Sequence, residues 1–87
     1  MAYKDMGYME LLEPATKVRI KEDLDRYIMS HDYKITELAR IMNMDIMNLK
    51  NFLRDPTRRR FEVVIKITRF LDAEHAKSDK INDPFDF

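Results

Sequence analysis

Residues 35–54 read ITELARIMNMDIMNLKNFLR, and the apolar spacing in this stretch decides the fold. The spacing predicts one short helix over residues 35–42 and a second over about 46–54. Between them lies the turn of residues 43–45, Asn-Met-Asp. Asn tolerates a left-handed backbone, and Asp is a good N-cap for the helix that follows. The stretch therefore predicts two short helices joined by a tight turn.

The side chains of this stretch fit two helices that cross at close range. Ala39 is the small residue that such a crossing needs, and Met44 in the turn is expected to fill the gap between the helices. The other core positions lie three or four residues apart and so share a helix face: Leu38 and Met42, then Leu49 and Phe52. This combination is typical of a helix-turn-helix, whose second helix usually enters the DNA major groove. A generic helical hairpin with the same periodicity is the alternative.

The rest of the chain predicts more helices around this pair. With 87 residues the chain is at most one domain, and its single Gly and three Pro argue against a turn-rich β protein. We expect an all-α, compact four- to five-helix bundle containing a helix-turn-helix, with a flexible acidic C-terminal tail. The predicted parts are an N-terminal arm or short helix over 1–15, the helix-turn-helix domain over 16–73 and the tail over 74–87.

Two further helices complete the predicted domain. Thr16 is the expected N-cap of the first, which should end at the polar residues 30–32. Its apolar stripe comprises Val18, Ile20, Leu24, Tyr27 and Ile28. After the motif, Asp55-Pro56 should stop the preceding helix, and a very apolar helix should run from about Phe61 to Ala73. The last helix, residues 1–12 and the tail are each candidates for a homodimer contact.

Several classes of function lack support in the sequence. The chain has no Cys, no apolar run of membrane-spanning length and no signal peptide, which predicts a cytoplasmic protein without membrane attachment. Neither a Gly-rich phosphate loop nor a Ser-His-Asp set stands out, and His31 and His75 lie far apart in sequence. We therefore expect no enzyme activity, no metal and no cofactor.

The net charge is zero, but the charges are unevenly distributed along the chain. Residues 17–71 carry 13 basic and 8 acidic residues, a net charge of +5, and the two flanks together carry −5. A basic centre with acidic ends is compatible with a core that binds DNA while its termini point away from the phosphates. Solvated helices with acidic tails would give the same distribution.

The order of elements resembles the DNA-binding domains of the lambda-repressor-like family, also described as Cro- or Xre-type. The resemblance covers residues 17–72. It is carried by Leu38 and Ala39, the turn of residues 43–45, Leu49, Phe52, Pro56 and the apolar helix over 61–71. Members of that family bind operator DNA, commonly as dimers, and repress or activate transcription. The resemblance implies a phage- or bacterial-type regulator that recognises double-stranded DNA, with residues 46–54 as the recognition helix.

The candidate DNA contacts follow from that assignment. The base-contact candidates are Ile46, Met47, Asn48, Lys50, Asn51 and Arg54, because Asn pairs with adenine, Arg and Lys pair with guanine, and apolar side chains contact the thymine methyl group. The backbone-contact candidates are Lys34, Arg40, Arg58, Arg59 and Arg60. The sequence departs from the family pattern in having Asn43 where Gly is usual, and Asp45, Ile46 and Met47 where polar side chains are usual.

These departures keep two other hypotheses open. In the first, the fold binds a protein, as an antirepressor or inhibitor-like adaptor would, through the apolar surface of Met44, Ile46 and Met47. In the second, the chain is a nucleoid or recombination accessory factor that binds DNA with little sequence preference. A DNA ligand predicts sensitivity to loss of Lys50 and Arg54, whereas a protein ligand predicts sensitivity to a charge at Met47.

Overall fold

The structure is a computed structural model that describes the backbone of residues 3–81 and the side chains of residues 3–77. Its five α-helices are Tyr8–Leu12 (α1), Pro14–His31 (α2), Ile35–Ile41 (α3), Ile46–Arg54 (α4) and Phe61–Ile81 (α5). Short 3-10 helices are formed by Tyr3–Asp5 and Pro56–Arg58, and residues 3–81 contain no strand. The prediction of an all-α fold with four to five helices is confirmed. No helix within this range combines the length and the apolar character needed to cross a membrane.

Helix α2 begins two residues before the predicted N-cap. Pro14 occupies the first turn and Glu13 is the N-cap, so the prediction of Thr16 as N-cap is wrong. Pro14 can begin a helix because its ring fixes φ near the helical value. The N–H that it lacks would have no partner in the first turn of a helix. The C-terminal end lies where the sequence predicted it. His31 is the last helical residue, and Asp32 follows in the left-handed conformation with φ 54°.

The turn between α3 and α4 has the predicted backbone. Asn43 has φ 54°, and the Asp45 carboxylate accepts a hydrogen bond from the Met47 N–H at 2.7 Å, as an N-cap does. Lys66 on α5 donates to the carbonyl of Asn43 at 2.8 Å. Helix α3 ends one residue earlier than predicted, since Met42 is its C-cap. The turn is thus held both by its own cap and by the last helix.

The core lies between α2, α3, α4 and α5. Every residue predicted to pack at the crossing of α3 and α4 is buried, except Met44, which is half-buried against the core. The fully buried side chains are Ile20, Leu24, Leu38, Leu49, Phe52, Val64, Ile67, Thr68 and Leu71. This packing fixes the orientation of α4 relative to the other three helices.

Helix α5 continues well beyond its predicted end at Ala73. It extends to Ile81, so the prediction that regular structure stops at residue 73 is wrong for residues 74–81. This stretch is polar, but it contains no Gly or Pro that would break a helix. A hydrogen bond from the Tyr27 hydroxyl to Glu74 at 2.8 Å anchors it to α2. The remainder of the predicted tail, residues 82–87, lies outside the described residues.

Residues 3–12, here called the N-terminal strap, are tied to α2 and α5 by hydrogen bonds. The backbone N–H groups of Tyr3 and Lys4 donate to the two carboxylate oxygens of Asp72 at 2.8 and 2.9 Å. The Tyr3 hydroxyl donates to Asp23 at 2.7 Å. Burial and this hydrogen bond raise the pKa of Tyr3. The predicted arm or short helix therefore packs against its own domain.

The rest of the strap follows α5 toward its N-terminal end. The Tyr8 ring lies 4.6 Å from the Phe61 ring, and Leu11 is buried in the core. Phe61 and Asp72, two of the α5 residues that the strap contacts, are 11 residues or about 16 Å apart along the helix. The strap therefore runs antiparallel to the first half of α5, from Asp72 back to Phe61.

An aromatic cluster joins α2 to the distal part of α5. The Tyr27 ring stacks on His31 at 4.1 Å and meets Phe70 edge-on at 5.3 Å, and its hydroxyl donates to Glu74. Burial raises the pKa of Tyr27, and so does the hydrogen bond to Glu74. Burial also acts to raise the pKa of Glu74, but hydrogen bonds from Tyr27 and Lys77 outweigh it, and the pKa lies below its ordinary value.

The raised pKa of Tyr27 predicts a loss of stability at alkaline pH. The stabilisation from its protonated hydroxyl is fully present below the unfolded-state pKa of 10.0 and is lost as the pH rises above it. Between about pH 9 and about pH 11, the free energy of unfolding measured in urea should fall less for Tyr27→Phe than for the wild type. Tyr8→Phe is the control, because Tyr8 is 58% exposed. Equal pH dependence in Tyr27→Phe and the wild type would contradict the prediction.

Candidate nucleic-acid interface

Helix α4 has one buried face and one exposed face. Leu49 and Phe52 are both 0% exposed and form the inner face. Because an α-helix turns about 100° per residue, the opposite face is formed by positions 47, 50, 51 and 54. Four predicted base-contact residues occur there: Met47, Lys50 and Arg54, which are exposed, and Asn51, which is half-buried. The structure therefore brings these four side chains together.

The other two base-contact candidates lie at the edges of that face. Ile46 is half-buried and packs against the core, whereas Asn48 is exposed. Asn48 borders a small groove between the turn and α5, together with Asn43, Glu62 and Lys66. These two positions are therefore less central on α4 than the sequence suggested.

Two contacts on α4 alter the chemistry of its exposed face. The Asn51 side-chain oxygen accepts a hydrogen bond from Arg54 Nη2 at 3.0 Å, which orients the guanidinium along the helix surface. The exposed Asp45 carboxylate accepts the Met47 N–H at the start of the helix, outside the face formed by positions 47, 50, 51 and 54. Lys50 and Arg54 thus leave the face basic, and Asn51 adds amide N–H donors to it.

The loop that follows α4, residues 55–60, carries three of the backbone-contact candidates and is here called the arginine loop. Asp55 organises its first part by accepting one hydrogen bond from the Thr57 hydroxyl at 2.9 Å and forming an ion pair with Arg58 at 3.3 Å. Arg60 is exposed. Arg59 is half-buried, and its buried Nε has no hydrogen-bond partner within the described part of the chain. The three arginines therefore differ in their freedom to reach a ligand.

The remaining backbone-contact candidates belong to α3. Lys34 is the N-cap of α3 and Arg40 lies in its last turn, and both are exposed. Helix α4 packs against α3 and also against the 3-10 helix of the arginine loop. Both groups of basic residues thus belong to elements that pack directly on α4.

Lys17 is a buried charged residue that sequence reasoning missed. Its side chain is in the first half of α2, is 6% exposed, and donates from Nζ to the carbonyls of Arg59 at 2.8 Å and Thr57 at 3.4 Å. The signal was present in the spacing, because Lys17 lies three residues before Ile20 and seven before Leu24 and so shares their inward face. The predicted stripe included Val18 instead, which is 37% exposed.

Both histidines line a separate groove between α2 and α5, with a volume of about 730 Å³. His75 Nε2 lies 3.4 Å from Asp23, whose carboxylate also accepts the Tyr3 hydroxyl. His31 is stacked on Tyr27. Over the described side chains, no group of three or more His, Asp or Glu residues is placed to hold a metal ion.

No family model, no curated protein and no solved structure matches this chain. The two surfaces with organised chemistry are the exposed face of α4 with the arginine loop, which is basic, and the groove between α2 and α5, where acidic and basic groups are paired. The first carries exposed basic side chains at Lys50, Arg54, Arg58 and Arg60.

Proposed function

We propose that this protein is a sequence-specific transcriptional regulator that binds double-stranded DNA through a helix-turn-helix formed by α3 and α4. The observation that carries the proposal is the division of α4 into two faces. Leu49 and Phe52 are fully buried, and the opposite face carries the exposed Lys50 and Arg54 with the half-buried Asn51 between them. A helix fixed to the core in this way can enter the major groove with its polar face toward the base edges.

Each exposed side chain of α4 has a partner chemistry in the major groove. Arg54 and Lys50 suit the O6 and N7 acceptors of guanine, and Asn51 suits adenine. Met47, which is 57% exposed, suits the methyl group of thymine. The arginine loop, with Lys34 and Arg40 beyond α3, would neutralise phosphates on the two sides of the groove. A repressor-type regulator of a phage or mobile element fits this arrangement. A homodimer would present two such helices to two half-sites on the DNA.

The test is retention of fragmented genomic DNA from the source organism by the purified protein, at low and at near-physiological salt. We expect one or a few discrete fragments to remain bound at the higher salt. Binding at low salt alone, without preference among fragments, would instead indicate an accessory factor held by charge. Binding of no fragment at either salt would contradict the proposal.

A protein ligand is the second proposal, and the exposure of Met47 and Ile41 favours it. These large apolar side chains, on α4 and α3 respectively, are 57% and 54% exposed, while Met9 and Met29 elsewhere in the chain are exposed further still. Met44 and Ile46, by contrast, are half-buried, so Met47 would be the centre of such a surface. We expect Met47→Asp to leave folding intact and to abolish a protein complex isolated by pull-down. A complex that survives this substitution would contradict the second proposal.

A further inference from the structure

Lys17 and the arginine loop form one unit, although they belong to distant parts of the sequence. The Lys17 ammonium group donates to the carbonyls of Thr57 and Arg59, and both of these acceptors belong to the arginine loop. We propose that Lys17 is a positioning residue for DNA phosphate binding: it holds these carbonyls inward and so presents the outer side of the loop to the DNA backbone. The inference rests on the proposed function.

The geometry of the peptide bond connects the two sides of the loop. In a planar trans peptide the C=O and the next N–H point in opposite directions. When Lys17 holds the carbonyl of Arg59, the N–H of Arg60 therefore points away from the interior. Among residues 3–77 this N–H donates to no other group. The Arg60 side chain is exposed, so its guanidinium and its backbone N–H are both available to one phosphate.

The charge around the loop also indicates an anionic ligand. Arg58 has the Asp55 carboxylate as its ion-pair partner. No carboxylate of the described side chains lies within ion-pair distance of Lys17, Arg59 or Arg60. A cation without a counter-ion is costly when it is buried, as the Lys17 ammonium group is. A DNA phosphate on the outer side of the loop would supply the missing negative charge.

The burial of Lys17 suggests a role beyond packing. A methionine at this inward position would fill similar space without the cost of burying an amine. Methionine would, however, leave the carbonyls of Thr57 and Arg59 without a donor, and the loop would have to turn them toward water. Turning these peptides reverses the N–H groups on the other side, so the predicted effect of losing Lys17 is a misdirected arginine loop on an intact helical core.

The experiment compares Lys17→Met with Lys17→Arg in binding to a selected DNA duplex over a series of salt concentrations. We expect Lys17→Met to bind about tenfold more weakly, with a salt slope lower by about 1, as for loss of one phosphate contact. Lys17→Arg should restore both values, because its guanidinium also donates to two carbonyls. Arg60→Gln should cause a similar loss in the wild type and little further loss in Lys17→Met.

Lys21→Met is the matched control, since it removes the same charge from the same helix at an ion pair with Asp25. It should leave the salt slope unchanged. If Lys17→Met does not fold, Lys17→Gln is measured instead, because it keeps a donor at a shorter reach. A folded variant at position 17 that melts at a lower temperature but binds DNA with the wild-type salt slope would overturn the role of Lys17 and leave the proposed DNA-binding function standing. Absence of duplex binding by the wild type would overturn the proposed function, and the inference with it.

Discussion

Phe52→Ala should lower the free energy of unfolding by about 3–5 kcal/mol. Phe52 is 0% exposed and joins α4 to the common core, so its loss removes apolar contacts and leaves a cavity. A domain of this size has a total stability of only about 4–13 kcal/mol. The loss is therefore a large share of the total, and a wild type at the lower end of this range would be left close to unfolded at ambient temperature. Urea denaturation followed by far-ultraviolet circular dichroism measures the difference directly.

Two substitutions on the same helix act as controls for this result. Phe52→Leu keeps most of the apolar volume and should cost less than the alanine variant. Met47→Ala removes an exposed side chain and should change stability by no more than about 0.5 kcal/mol. A cost below about 1 kcal/mol for Phe52→Ala would mean that α4 does not pack on the core through this face.

The second large effect is expected in DNA binding. Replacing both Lys50 and Arg54 by Ala should weaken binding to a selected duplex by about 1–3 kcal/mol for each side chain that pairs with a base. This corresponds to about fivefold to 150-fold per side chain. Both residues are exposed, so the variant should melt at nearly the wild-type temperature. Fluorescence anisotropy with the duplex and with a scrambled duplex separates specific from charge-driven binding.

The control for this pair is the removal of equal charge elsewhere. Lys21→Ala with Arg26→Ala takes two positive charges from α2, where each is paired with an aspartate of the same helix. This double variant should keep most of the affinity and the same sequence preference. If both double variants lose the same affinity, the face of α4 does not recognise the bases, and the net charge of the protein determines its binding to DNA.

Local chemistry explains why some elements could be predicted from the sequence to the residue. Helix α4 begins after Asp45, a side chain that caps its own helix, and ends just before Asp55-Pro56. Asn43 was predicted to take the left-handed conformation that it has. In each case the deciding interaction lies within four residues of the position concerned, so the sequence pattern contains it.

The features that sequence reasoning missed depend on contacts between distant residues. Residues 74–81 are mostly polar, yet they are helical. The hydrogen bond from Tyr27 on α2 to Glu74 anchors the start of this stretch, and α5 extends to Ile81. Lys17 is buried because carbonyls 40 and 42 residues later accept its hydrogen bonds. At the candidate interface, periodicity predicted the exposed residues of α4. It could not predict that Arg54 is held by Asn51, because such a contact depends on rotamers.

The N-terminal strap has a consequence for the order of events during synthesis. Its first hydrogen bond joins Tyr3 to Asp72, which are 69 residues apart. Ribosomes add about 5–20 residues per second, so Tyr3 waits several seconds before its acceptor has been translated. The helices from α2 to α4 emerge in that interval, whereas the strap has to dock after most of α5 is complete. In a nascent chain, protection of Tyr3 from proteolysis would therefore report that the last helix has joined the core.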